Sequence, residues 1–81
     1  MPVLAKFKGI VIRLLSLGAL GTRLHAFYGN DEMVVDLAEL KVIQGCLPGL
    51  LGQTVLEWAS EHRGAIFAGL ARHQRLAGMF A

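Results

Sequence analysis

Few residues in this chain have types and spacing that could do chemistry. Arg23 and His25 stand two apart in the run Arg23-Leu24-His25-Ala26-Phe27-Tyr28. In an extended strand that spacing places both side chains on one face. There an imidazole could move a proton while a guanidinium holds a phosphate, as an RNA-cleaving site requires. Tyr28 belongs to the opposite face unless a bulge at Gly29 turns it. No second general acid or base accompanies the pair, so the simpler expectation is two solvated sheet residues. A lone histidine without a spaced carboxylate or thiolate does not make a metal site, and neither metal nor cofactor is expected. The residue set favours a binding role over catalysis.

Other residues carry weaker signals. Trp58 and His62 are one helical turn apart and could form a platform for bases, but Trp58 reads first as a core anchor with His62 beside it. Cys46 lies between a strand end and a helix start, where a helix dipole could activate a thiol; a small buried hydrophobe is the expected role. Asp31, Glu32 and Asp36 surround a turn and should be solvated, with a complement in Arg23 or Lys6 of another copy. Lys6, Lys8, Arg13 and Arg23 are the residues that would meet phosphates if the chain bound nucleic acid.

The charge is unevenly placed. Residues 1–28 hold those four cations and no acid, a balance of +4. Residues 29–45 hold Asp31, Glu32, Asp36 and Glu39 against Lys41, a balance of −3. Glu57, Glu61, Arg63, Arg72 and Arg75 bring the whole chain to +2. A basic first third suits nucleic acid, an anionic lipid surface or an acidic partner. Arg13 interrupts the apolar stretch 9–20, which argues against a secretory signal and against a membrane span of about 20 apolar residues. An acid-free, arginine-containing start has the look of an organelle transit peptide, but the segments after it read as continuous with one fold. With one cysteine there is no internal disulfide framework, and a reducing, cytoplasmic setting is expected.

The elements that must position these residues follow from periodicity. Residues 5–15 read as one strand, with Ile10, Ile12 and Leu14 on one face and Val11, Arg13 and Leu15 on the other. Residues 16–22 contain Gly18 and Gly21 and read as a flexible connection. Residues 23–28 form a second strand, closed by the turn signal Gly29-Asn30-Asp31. Residues 32–37 form a third, with Met33, Val35 and Leu37 opposite Val34 and Asp36. Residues 40–44 form a fourth, with Leu40 and Val42 opposite Lys41 and Ile43. Short turns between strands imply an antiparallel meander.

Pro48 suits a first helical position. Leu51, Val55, Trp58, His62 and Ile66 then mark one helix face, with Leu51, Val55 and Trp58 as the core anchors. Gly64 ends or bends this helix, and a second helical stretch runs from 65 to about 77. That tail joins apolar Leu70, Leu76, Met79 and Phe80 to Arg72, His73 and Arg75; it reads as a partner-binding helix, a lipid-surface helix or a frayed end.

The expected architecture is therefore α+β. It comprises a four-stranded antiparallel sheet over about 3–45 and helical structure over about 48–78, packed on one sheet face. The other face would carry Val34, Ile43 and Phe27 beside Arg23 and His25, a mixed surface suited to contact.

These residues resemble a small bacterial family called domain of unknown function 4160. The likeness is carried by Met1-Pro2, Phe7-Lys8-Gly9-Ile10, His25-Ala26-Phe27-Tyr28-Gly29, Asp31-Glu32 and Val35-Asp36-Leu37. It continues through residues 40–45, Leu47-Pro48, Leu56-Glu57-Trp58-Ala59 and Glu61-His62-Arg63, to about residue 67. Gly21-Thr22 and Arg23 stand where the family has two prolines and the first histidine of a His-x-His pair, so only His25 is carried over. Ala68-Gly69-Leu70 and Met79-Phe80-Ala81 depart from the family's Ala-Asn-Trp and its basic, proline-containing end. The resemblance implies a short bacterial protein encoded beside another small family, numbered 2442, in an arrangement like a toxin–antitoxin module.

Length adds a separate argument. The chain has 81 residues, below the usual domain of about 100–150, so one domain spans 1–81. Hydrophobic residues make up 54% and charged ones 17%, which excludes disorder by composition. So small a fold cannot bury that much apolar surface alone. A homo-oligomer or a small cognate partner protein is expected, with nucleic acid as the alternative.

Overall fold

The structure is a computed structural model that describes residues 3–16 and 21–80, with side chains described as far as residue 69. The glycine-rich connection around Gly18, the Met1-Pro2 start and the side chains of the arginine-rich tail lie outside the described residues.

Five strands run β1 (Val3–Phe7), β2 (Ile10–Ser16), β3 (Thr22–Tyr28), β4 (Asp31–Asp36) and β5 (Lys41–Gly45), followed by helix α1 (Leu51–Phe80). The strands form a single antiparallel sheet in chain order, β1-β2-β3-β4-β5. This is the expected α+β meander with one strand more. The run 5–15 is two strands, because Lys8 (φ 51°) and Gly9 (φ 78°) make a two-residue hairpin turn between Phe7 and Ile10. Positive φ at both turn positions matches the twist of the flanking strands. Lysine lacks the side chain that makes Asn-Gly or Asp-Gly a recognisable signal, so the turn is disguised. Lys8→Asn should therefore stabilise the fold by up to about 1 kcal/mol, since asparagine tolerates the left-handed region better. A rise of several degrees in Tm, roughly 4–8 °C per kcal/mol for a domain of this size, checks it.

Alternation places Ile10, Ile12, Leu24, Ala26, Met33, Val35 and Leu37 on the inner sheet face, where all are buried. α1 covers them with Val55, Ala59 and Ile66, and Leu47 closes the end. Leu51 and Trp58 pack at the margin of this core as partly buried residues. His62 is exposed, and Ala59, 0% exposed, takes the central place on the helix face.

Three local expectations are corrected. α1 begins at Leu51, not at Pro48; Pro48 belongs to the preceding turn, and its carbonyl accepts the Leu51 amide at 3.2 Å. The helix runs unbroken through Gly64, whose cost of about 1 kcal/mol against alanine is offset by Ile66 and Phe67 packing on the core just beyond it. Cys46 is exposed: the chain turns at Gly45 (φ 71°), and Leu47 is the residue buried there.

No helix among the described residues is long and apolar enough to cross a membrane.

Candidate functional site

The register of β2, β3, β4 and β5 decides which side chains meet on the outer sheet face. Arg13 lies across from His25, and His25 across from Val34. Val11 lies across from Phe27, and Phe27 across from Glu32. Leu15, Arg23, Asp36 and Lys41 form the next row. Arg23 and His25 thus share the face away from α1, and Arg13 joins them. Lys6, opposite Val11, lies on the same face; Lys8 stands apart in the β1–β2 turn.

Tyr28 does not join the group. It faces the other way, pairs with Asp31 without a bulge, and lies over Gly9, where an added Cβ would come within 3.1 Å of its ring.

A bulge between Val34 and Val35 changes the end of this face. Val35 pairs with Val42 and Val34 with Gln44, leaving Ile43 as the extra residue. Gln44, not Ile43, therefore stands beside Val34. Phase along an edge strand is set by its partner as well as by alternation, so the shift had no sequence signal.

Glu32 is the residue that strand patterning alone did not bring to the site. The two-residue loop Gly29-Asn30 fixes Tyr28 opposite Asp31, which places Glu32 diagonal to His25. His25 Nδ1–H donates to Glu32 Oε2 at 2.9 Å. The side chain of His25 is 17% exposed and that of Glu32 43%. This contact orients the imidazole and leaves its other nitrogen for a different partner. His25 Nε2 is buried and has no hydrogen-bond partner among the described residues, and the same holds for Arg23 Nε. An unpaired buried polar group costs about 1–3 kcal/mol, so two on neighbouring residues mark a place that the fold does not satisfy by itself.

Around them, the rings of His25 and Phe27 lie 6.4 Å apart and 20° from parallel. Val11, Arg13 and Phe27 line an open hollow of about 330 Å³. Arg13 is engaged within the molecule. Asp36, across from Arg23, accepts the Glu39 amide on Oδ1 at 3.1 Å.

On the opposite face Trp58 sits between Phe7, ring to ring at 5.6 Å, and His62 at 4.4 Å. His62 Nδ1–H donates to the Trp58 carbonyl at 2.8 Å, a contact within one helical turn. The groove beside this stack, about 350 Å³, is lined by Leu4, Leu14 and Ile66 as well. It is an apolar space with little polar chemistry. Among the described residues no cluster of three or more His, Cys, Asp or Glu side chains could hold a metal ion.

The sheet edges form a third feature. β5 is exposed along its whole length, and among the described residues no strand pairs with its outer side. Val42 is 43% exposed, Ile43 47%, and Leu50, just before α1, 77%. At the other edge Ala5 and Phe7 of β1 pack on the core.

Comparison of this chain with protein-family models, with curated proteins and with solved structures finds no match.

Proposed function

We propose that this chain is a cytoplasmic protein-binding module that adds a partner's strand to the outer edge of β5. The carrying observation is that edge: five consecutive exposed residues, with Val42, Ile43 and the nearby Leu50 offering apolar contacts. An unpaired edge is a template for another strand. Lys41 and the bulge at Ile43 discourage indiscriminate pairing, which favours a matched partner over aggregation. Support for a two-gene, toxin–antitoxin-like setting comes from the resemblance carried by His25-Ala26-Phe27-Tyr28-Gly29 and Leu56-Glu57-Trp58-Ala59.

Co-expression with the product of the neighbouring gene, followed by size exclusion with light scattering, tests the proposal. A complex that contains both chains and is lost in Ile43→Lys is expected. Self-association lost in the same variant would make the partner a second copy. A strictly monomeric chain that ignores its neighbour would defeat the proposal.

A second reading, an RNA-cleaving toxin using His25 with Arg23, draws support from the Glu32 contact, which orients the imidazole as a base is oriented in hydrolytic sites. Growth arrest on expression that His25→Ala abolishes is its expected result; arrest unchanged in a folded His25→Ala chain removes it.

A further inference from the structure

One row of side chains across the outer sheet face is complementary to itself when reversed. Lys6 of β1 pairs with Val11 of β2, Val11 with Phe27 of β3, and Phe27 with Glu32 of β4. Cross-strand partners share a face, so the row reads cation, aliphatic, aromatic, anion across four strands. Its two ends are exposed and its middle pair is half-buried, on the face away from α1. Three strand spacings, about 14 Å, separate Lys6 from Glu32 in one chain, which is too far for an ion pair. Among the described residues Lys6 is in no ion pair. Glu32 accepts from His25 on Oε2, and a carboxylate has acceptor sites on both oxygens, so that contact does not exhaust it. Between the two charges, Val11 and Phe27 line the open hollow of about 330 Å³ together with Arg13, with room for an apolar side chain from outside the chain.

We propose that this face binds a second copy of the chain, face to face, about a two-fold axis that runs along the strands between β2 and β3. That axis lays β1 over β4 of the other copy and β2 over β3, so the same patch serves on both sides. Lys6 then meets Glu32 of the other copy, twice, and each Phe27 enters the hollow beside the other copy's Val11. The strands stay aligned, as they do when two sheets pack within about 30° of each other. Charge selects the occupant: reversed upon itself, the row opposes each charged end to its opposite and brings the two apolar positions together. Four overlapping strands span about 19 Å by about 20 Å, which puts the contact at the small, reversible end of interfaces. β5 lies outside those four strands, so this contact is independent of docking at the β5 edge.

Sedimentation equilibrium over a range of chain concentrations tests it. The wild-type chain should show a monomer–dimer equilibrium that weakens as salt is raised. Lys6→Glu and Glu32→Lys should each weaken the dimer by about tenfold or more, because each turns two attractions into two repulsions. An equimolar mixture of those two variants should recover a dimer of about wild-type affinity, since the reversed charges then match. Ile43→Lys, on β5, should leave the dimer unchanged. Lys6→Glu, at an exposed edge position, decides the matter by itself if Glu32→Lys does not fold. A chain that stays monomeric at every concentration overturns the proposal, as does a folded Lys6→Glu chain that dimerises like the wild type. Two folded variants whose mixture recovers no dimer overturn it too. Self-association lost in Ile43→Lys and intact in Lys6→Glu also overturns it, and assigns the contact to β5 instead.

Discussion

A Gly45→Ala chain is expected to lose most of its stability and to sit near the edge of unfolding at room temperature. Gly45 ends β5 with φ 71° and lies across from Met33. A methyl group built there would run into the backbone carbonyl of Glu32 on the neighbouring strand. The left-handed backbone alone costs alanine about 1–2 kcal/mol, and forcing β4 and β5 apart adds about 1–3 kcal/mol, the usual penalty for overpacking. A core of this size supplies about 3–5 kcal/mol, so the substitution removes most of the stability. Urea titration followed by Trp58 fluorescence and far-ultraviolet circular dichroism should place the midpoint near zero denaturant. Gly29→Ala is the internal control. Gly29 has φ 58° but open space around it, so only the backbone cost of about 1–2 kcal/mol applies. If the two variants unfold at the same urea concentration, the close approach at Gly45 is not what requires glycine.

Leu24→Ala has the second largest expected effect. Leu24 is fully buried in β3, between Leu14 and Val35 in a row that ends at Val42 on the edge. Removing its branched end strips contacts from the centre of the sheet and leaves a cavity, at a cost of about 2–5 kcal/mol. For a domain of this length that corresponds to a drop in Tm of about 8 °C or more. A drop below about 3 °C would mean that the helix does not seal the sheet where Leu24 lies, because a well-packed site cannot absorb the change.

Alternation made the inner face of the sheet readable. Ile10 and Ile12, Leu24 and Ala26, and Met33, Val35 and Leu37 keep strict period two because one face is dry, and a slip of one residue would expose the whole set. Features that depend on backbone conformation were not readable in the same way. Lys8 adopts a positive φ that its side chain does not advertise, so one expected strand is two. Val42 and Ile43 are both β-branched, and nothing in their identities says which of them sits at the bulge. Ala59 carries no hydrophobic bulk that would rank it above His62, yet its small side chain occupies the centre of the helix–sheet contact. Part of the outer-face site was within reach. Arg23 and His25 share a face by spacing alone, whereas Glu32 requires the register, and the Gly29-Asn30 loop holds that information once its length is taken as two residues. The unpaired state of Arg23 Nε and His25 Nε2 depends on how long side chains fold over the sheet, which no sequence pattern fixes.

Hydrogen exchange at the β5 amides, measured on the isolated chain and again in the presence of the co-expressed neighbour, tests partner docking most directly. Outward-facing backbone N–H groups of Lys41–Gly45 that exchange fast alone and become protected in the mixture, with β1 amides unchanged, are the expected result. β5 amides that exchange at the same rate in both samples would contradict the docking edge.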